Sequence, residues 1–186
     1  MIKVILFDFY GVFIPDGYNH WLELNSLKRD GDFARLIEEL DTSRISEEFF
    51  LAQLSRLTGR DVQNSEIHVR NQQPNTELVD LVQELRTNYT ISLLSNASTK
   101  LRSRLESMDL SFLFDKVIVS SEIGFAKPSS EAFHAAIQIL EVEAREILFV
   151  DDNILNVEAA RTSGMHAVQY QTVEHLREYF VSQKIT

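Results

Sequence analysis

The chain has 186 residues, enough for one compact core domain and a small appendage but too few for two large domains. Apolar residues make up 44% and charged residues 25%, a balance that excludes a disordered chain. The formal net charge of −10, with no Lys/Arg cluster longer than a pair, argues against a nucleic-acid partner, and the lack of cysteine excludes disulfides, thiolate metal sites and thiol nucleophiles.

The first apolar run extends from Val4 to Ile14 and is interrupted by Asp8. It is too short to span a bilayer, and neither a basic leader nor a small-residue cleavage site accompanies it. We therefore expect neither a membrane segment nor a signal peptide, and we predict a cytoplasmic protein.

Short apolar runs alternate with helical patterns along the rest of the chain. The predicted strands cover residues 3–8, 90–95, 116–120, 146–151 and 166–170. The predicted helices cover residues 77–86, 98–108, 129–140, 153–163 and 174–180. Because four of the five strand runs are mainly apolar, we expect strands that are covered on both faces. The alternation predicts an α/β fold with a doubly wound parallel sheet.

One segment breaks this alternation. Between about residues 15 and 73, apolar residues recur at helical spacing and no buried strand is evident. The pattern predicts a small all-helical cap over residues 15–74, inserted into an α/β core formed by residues 1–14 and 75–186. The aromatic residues of the insert are expected to form the cap's own core rather than to line a ligand pocket; they are Trp21, Phe33, Phe49 and Phe50.

Polar residues close or follow several of the predicted strands. They are Asp8, Ser95, Asn96, Lys127, Asp151 and Asp152. In open parallel α/β sheets, ligands bind outside the carboxyl ends of the strands. The topology therefore predicts that these side chains gather at one edge of the sheet.

The same residues also have ordinary structural interpretations. Asp8 and the serine–asparagine pair could belong to turns, and the paired aspartates could cap the next helix. Lys127 could be a solvated loop lysine. The number of polar residues at one predicted edge favours a functional site over these alternatives.

Four short motifs resemble those of the haloacid dehalogenase-like (HAD) hydrolase superfamily. FDFYGV at residues 7–12 resembles the first motif, usually written DxDG[TV], and LSN at 94–96 resembles the second. Lys127 and Pro128 resemble the third motif, and FVDDN at 149–153 resembles the fourth. The motifs occur in the family's order and frame most of the chain. The helical insert is similar to the cap that follows the first motif in one subgroup.

This resemblance implies a phosphatase-like enzyme. Asp8 would attack phosphorus and form an aspartyl-phosphate, which splits hydrolysis into two easier steps. The implied Mg²⁺ ligands are the Asp8 carboxylate, the backbone carbonyl of Tyr10 and the Asp152 carboxylate. Asp151 would lie beside them and orient Lys127 or a metal-bound water. We therefore expect Mg²⁺ as the cofactor.

The implied substrate is a small phosphorylated metabolite, with a sugar phosphate as the leading candidate. Lys127 would supply a compact positive charge for a phosphoryl oxygen and, with Ser95, would complete the catalytic set. The Ser95 hydroxyl and the Asn96 amide would donate hydrogen bonds to the phosphate. The sequence does not indicate an oligomeric state.

The first motif departs from the family pattern at Tyr10. The family usually has a second aspartate there, which protonates the leaving group and then activates water, and losing such a group typically costs about 10²- to 10⁴-fold in rate. The enzyme could still be a phosphatase that favours good leaving groups or uses another residue, with Asp16 and His20 as candidates. The second interpretation is a 2-haloacid dehalogenase, since those enzymes have tyrosine at this place. The third is a catalytically impaired module that binds a phosphorylated ligand.

Overall fold

A five-stranded parallel sheet lies at the centre of the computed structural model, which describes residues 1–63 and 73–185. The strands are β1 (Val4–Phe7), β2 (Thr90–Ser95), β3 (Lys116–Val119), β4 (Ile147–Asp151) and β5 (His166–Gln169). Their order in the sheet is β3-β2-β1-β4-β5, and each neighbouring pair is parallel. Every residue of β1 and β4 is buried, as expected for strands covered on both faces.

Helices cover both faces of this sheet. In chain order they are α1 (Gly17–Leu24), α2 (Gly31–Asp41), α3 (Glu47–Thr58), α4 (Thr76–Leu85), α5 (Leu101–Ser107), α6 (Ser120–Ile123), α7 (Ser130–Leu140), α8 (Ile154–Thr162) and α9 (Val173–Ser182). Apolar residues of α4, α5 and α9 pack on one face of the sheet, and those of α7 and α8 pack on the other. The predicted doubly wound α/β fold is therefore confirmed.

Most element bounds agree with the sequence patterns to within one or two residues, but one helix begins late. The pattern predicted a helix over residues 98–108, whereas α5 begins at Leu101. The segment before it forms a turn, in which the backbone N–H of Leu101 donates to the carbonyl of Ser98 at 3.1 Å. Serine favours such turns over a helix interior, because its side chain competes for backbone groups.

The insert after β1 is helical throughout its described part. Helices α1, α2 and α3 share a hydrophobic cluster that is separate from the two clusters of the sheet. The insert ends near its starting point, since the backbone N–H of Asn75 donates to the carbonyl of Phe13 at 2.8 Å. Residues 64–72 of the predicted cap, and Thr186 of the predicted core, lie outside the described residues.

No helix in the described ranges is long and apolar enough to cross a membrane.

Candidate active site

The site begins at the point where the order of the strands reverses, between β1 and β4. Phe7 of β1 is paired with Val150 of β4, so the aspartates that follow them leave the sheet side by side. The backbone N–H of Asp8 donates to the carbonyl of Val150 at 2.8 Å. In open α/β sheets, the crevice at such a reversal is where ligands bind.

Lys127 joins these two aspartates. Its Nζ lies 2.8 Å from Oδ1 of Asp8 and 2.7 Å from Oδ2 of Asp151. The Lys127 side chain is only 1% exposed, so it is not a solvated loop lysine. Burial favours the neutral amine, but the carboxylates of Asp151 and Asp8 outweigh that effect and hold the pKa of Lys127 above its ordinary value.

Asn96 fixes the loop that carries this lysine. The Asn96 Nδ2 donates to the Lys127 carbonyl at 2.8 Å, and the Lys127 backbone N–H donates to Asn96 Oδ1 at 2.8 Å. These two hydrogen bonds position the loop that carries Lys127. The role of Asn96 as a phosphate ligand stays a prediction. Ser95 is fully buried, and its Oγ has no hydrogen-bond partner among the described residues.

Asp152 completes a group of three carboxylates with Asp8 and Asp151. One carboxylate oxygen from each lies within 4.8 Å of the other two. The loop after β1 passes directly over Asp152, because a Cβ on Gly11 would lie 2.3 Å from Asp152 Oδ2. Gly11 also has a φ of +87°, which glycine adopts without strain. The close approach of the first-motif backbone therefore depends on this glycine.

The three carboxylates and one ammonium leave a formal excess of two negative charges at the site. Burial raises the pKa of Asp8 well above its ordinary value, although Lys127 opposes the shift. Burial, with the Asp151 charge, raises the pKa of Asp152 to about 6. A divalent cation would relieve both shifts, and clustered carboxylate oxygens are the ligands that Mg²⁺ prefers. The residues present therefore fit a magnesium ion.

Asn156 was missed by the sequence analysis. Its Nδ2 donates to both carboxylate oxygens of Asp151, at 3.1 and 3.0 Å, and the residue is buried. The helix cap at this point belongs to Asn153, whose Oδ1 accepts from the N–H of Leu155 at 3.0 Å. The paired aspartates therefore do not serve as the N-cap of α8. The sequence held no local signal for Asn156, because its burial depends on how α8 packs.

A cavity of about 1600 Å³ opens above these residues, between the sheet edge and the cap. Asp8, Asp152 and Lys127 line it from the core, and Arg29 and Asp41 line it from the insert. Ser95 and Asp151 do not line it.

Tyr10 occupies the place of the family's second aspartate and also lines the cavity. The guanidinium carbon of Arg104 lies 5.6 Å from the centroid of the Tyr10 ring. Burial raises the pKa of Tyr10, although Arg104 opposes the shift, so the phenol stays protonated near neutral pH. The backbone carbonyl of Tyr10 stays a predicted metal ligand.

The two predicted substitutes for the missing acid differ in their placement. Asp16 lines the cavity, but its Oδ1 accepts from the N–H groups of Tyr18 and Asn19, at 2.9 and 3.1 Å. Its Oδ2 accepts from Asn19 Nδ2 at 2.8 Å, so the carboxylate serves as the cap of α1. His20 is exposed and does not line the cavity.

Comparison with known proteins agrees with this geometry. The family model described as haloacid dehalogenase-like hydrolase matches residues 2–164. The D-ribitol-5-phosphate phosphatase of Bacteroides thetaiotaomicron is 27% identical over 91% of this chain and 92% of its own length. A predicted HAD-like family hydrolase from Porphyromonas gingivalis is 25% identical, with a TM-score of 0.75 over 99% of this chain and 98% of its own.

A second solved structure is a HAD family enzyme of Bacteroides thetaiotaomicron in complex with magnesium and inorganic phosphate. It is 21% identical, with a TM-score of 0.71 over 95% of this chain and 99% of its own, which shows a shared fold. The family match spans most of the chain and includes all four motifs. The protein therefore belongs to the haloacid dehalogenase-like hydrolases.

Proposed function

We propose that this protein is a Mg²⁺-dependent phosphatase that uses Asp8 as the nucleophile on a small phosphorylated metabolite. The observation that carries the proposal is the cluster of Asp8, Asp151 and Asp152 around Lys127 on the floor of a cavity. The Bacteroides phosphatase, which covers nearly the whole chain, and the magnesium and phosphate complex of the related fold support it.

Asp8 would displace the alcohol from phosphorus and form an aspartyl-phosphate, which water then hydrolyses. The ion would be held by the Asp8 and Asp152 carboxylates and the Tyr10 carbonyl, and it would supply positive charge against a phosphate dianion. Lys127 would hold a phosphoryl oxygen while Asp151 keeps its amine protonated and in place. The Ser95 hydroxyl lacks a partner among the described residues but does not line the cavity, so it would donate to the phosphate only if the floor opened toward it.

We propose a sugar or polyol phosphate as the substrate. The cavity side chains above the floor include hydroxyl, amide and carboxylate groups, such as Asn19, Ser98 and Ser103, which suit a chain of hydroxyls. The Bacteroides relative is a D-ribitol-5-phosphate phosphatase, and its named substrate is a polyol phosphate. A screen of phosphorylated sugars, polyols, nucleotides and carboxylic acids with Mg²⁺, read as phosphate release, tests this choice.

We keep 2-haloacid dehalogenation as the second candidate because Tyr10, with Arg104 beside it, stands in place of the second aspartate. Against this candidate, Asp8 and Asp152 line the floor with Asp151 directly beneath, and without a metal these three carboxylates would disfavour a carboxylate substrate. We therefore rank it below phosphate hydrolysis.

One experiment separates the candidates. The protein is assayed with 4-nitrophenyl phosphate and with 2-chloropropionate, each with Mg²⁺ and with EDTA. Phosphate release that EDTA abolishes supports the phosphatase. Halide release that EDTA does not affect supports the dehalogenase. If no assay released phosphate or halide, and calorimetry showed Mg²⁺-dependent phosphate binding, the protein would be a binding module and the proposed hydrolysis would be refuted.

A further inference from the structure

A phosphatase of this kind must deliver a proton to the leaving oxygen, and the first motif no longer supplies one. Tyr10 stays protonated near neutral pH but lacks the acidity of a carboxylic acid. The Asp16 carboxylate accepts hydrogen bonds at the N-terminus of α1, and His20 is exposed and does not line the cavity. For substrates with poor leaving groups, the remaining candidate proton donors are therefore the other carboxyl groups that line the cavity.

Asp41 is such a group. It is the last residue of α2, is only 5% exposed, and lines the same cavity as Asp8 and Tyr10. The core holds it in place, because Ser120 Oγ donates to the backbone carbonyl of Asp41. Ser120 Oγ in turn accepts from the N–H of Ala97 at 2.9 Å, so the backbone at the end of α2 is tied to the loop that follows β2.

The surroundings of Asp41 disfavour its charged form. The residue lies at the C-terminal end of α2, where the helix dipole opposes a negative charge. Its nearest cation is Arg29, whose Nη2 lies 3.9 Å from Asp41 Oδ2, which is too far for a hydrogen bond. Burial raises the pKa of Asp41 to about 7, although Arg29 opposes the shift. A group with this pKa is populated in both protonation states at neutral pH.

The charged and titratable groups that face Asp41 come from the cap and from the core. They are Arg29, Asp16, Lys127, Glu38, Tyr10 and Tyr18. Each cation also faces another carboxylate: Arg29 is shared about equally between Asp16, at 3.8 Å, and Asp41, at 3.9 Å, and Lys127 is paired with Asp8 at 2.8 Å. Neither cation is therefore dedicated to Asp41, as it would be in a purely structural ion pair.

We propose that Asp41 is the general acid and base of this enzyme, in the role that Tyr10 cannot perform; this rests on the proposed phosphatase function. In phosphoryl transfer the attacking and leaving oxygens lie roughly in line with phosphorus. Asp8 attacks from the core floor, so the leaving oxygen faces the cap. A carboxyl on the cap side of the cavity therefore lies on the side where the leaving oxygen needs a proton donor.

The proton balance is complete with these two aspartates. An Asp8 oxygen bonds to phosphorus as the bond to the ester oxygen breaks, and protonated Asp41 gives its proton to the departing alcohol. The Asp41 carboxylate then takes a proton from the water that attacks the aspartyl-phosphate. The second step releases inorganic phosphate and restores both the Asp8 carboxylate and the protonated Asp41.

The test compares Asp41→Asn with wild type on two substrates in the presence of Mg²⁺. For the alkyl phosphate that wild type hydrolyses fastest, kcat/KM should fall by about 10²- to 10⁴-fold. For 4-nitrophenyl phosphate, whose leaving group needs no acid, kcat/KM should fall by less than about tenfold. Nitrophenolate should appear in a burst, because the second step lacks its base, and a phosphorylated Asp8 should be recovered by acid quench and mass spectrometry.

Two variants and one spectroscopic measurement control this test. Glu48→Gln removes an exposed carboxylate of the same insert that does not line the cavity, and it should leave both substrates within about twofold of wild type. Asp41→Glu should restore part of the alkyl phosphate activity if Asp41→Asn folds poorly. In ¹³C NMR titration without Mg²⁺, one carboxyl that titrates near neutral pH should disappear in Asp41→Asn.

Equal losses on the two substrates, or no burst in a folded Asp41→Asn protein, would overturn the role of Asp41 while leaving the phosphatase intact. A wild-type protein that releases no phosphate from any substrate would overturn both proposals together.

Discussion

A Cβ on Gly11 would lie 2.3 Å from Oδ2 of Asp152, so the backbone of the first motif rests directly against the carboxylate of the fourth. Gly11→Ala should therefore displace Asp152. We expect Mg²⁺ affinity, measured by isothermal titration calorimetry, to fall by about 10- to 100-fold. The free energy of unfolding should also fall by about 1–3 kcal/mol, because φ is +87° at this residue.

Gly124→Ala is the matched control. Gly124 has a φ of +78°, but a Cβ there would meet nothing within 4 Å. This variant should show a comparable backbone strain and an unchanged affinity for Mg²⁺. If the two variants bound Mg²⁺ equally well, the contact between Gly11 and Asp152 would have no part in metal binding.

Asp8→Asn should lower phosphate release by about 10³-fold or more, because an amide cannot form the aspartyl-phosphate. The affinity for Mg²⁺ should weaken without disappearing, since Asp152 remains. Phosphate release and calorimetry measure the two effects, and Asp80→Asn, an exposed aspartate of α4, serves as the control. Activity retained in Asp8→Asn would remove Asp8 as the nucleophile.

Asn156→Leu should remove the two hydrogen bonds that the Asn156 amide donates to the Asp151 carboxylate. Losing hydrogen bonds to a buried carboxylate costs about 1.5–3 kcal/mol. We expect a lower melting temperature and a reduced kcat, because Asp151 also holds Lys127. A melting temperature equal to that of wild type would show that this contact contributes little to stability.

Tyr10→Asp should restore the aspartate that the family motif carries. The variant should speed hydrolysis of alkyl phosphates more than hydrolysis of aryl phosphates, since only the former need a strong acid at the leaving oxygen. In the double variant with Asp41→Asn, the new aspartate should recover part of the lost alkyl phosphate activity. Equal effects on both substrate classes would mean that Tyr10 does not mark a missing acid.

The stability of the protein should depend on pH through Asp41. Its pKa is about 7 in the folded state, against an ordinary value of 3.8, so the folded state binds more protons between about pH 4 and pH 7. Stability therefore falls as the pH rises through this range. Asp41→Asn removes this pH-dependent contribution to the stability, because asparagine does not titrate. In EDTA, its melting temperature relative to wild type should be higher at pH 8 than at pH 5, and a difference that is independent of pH would contradict the prediction.

The sequence predicted the sheet because four of its five strands are mainly apolar runs. It predicted where Asp8, Lys127 and Asp151 would gather because strand ends share one edge. It did not predict Asp41 or Asn156. Each is a polar residue within or at the end of a helix, and its burial depends on how that helix packs against a distant segment. No local pattern records such packing.

Burial within the cap was also predicted only in part. Trp21 and Phe50 are buried in the cap cluster as expected, but Phe49 is 49% exposed. Neighbouring residues on a helix point about 100° apart, so Phe49 and Phe50 cannot both face the same side. The prediction from helical spacing therefore assigned one aromatic residue too many to the cap interior.

Helices α1, α2 and α3 have a hydrophobic cluster of their own, and this separation affects how the protein can diverge during evolution. Cap residues that face the cavity, such as Asn19 and Arg29, can be replaced without disturbing the strands that carry Asp8 and Asp151. Selection for a new metabolite can then act on the insert while the reactive floor is inherited unchanged. Diverging copies of this chain should accumulate their adaptive differences in the cap.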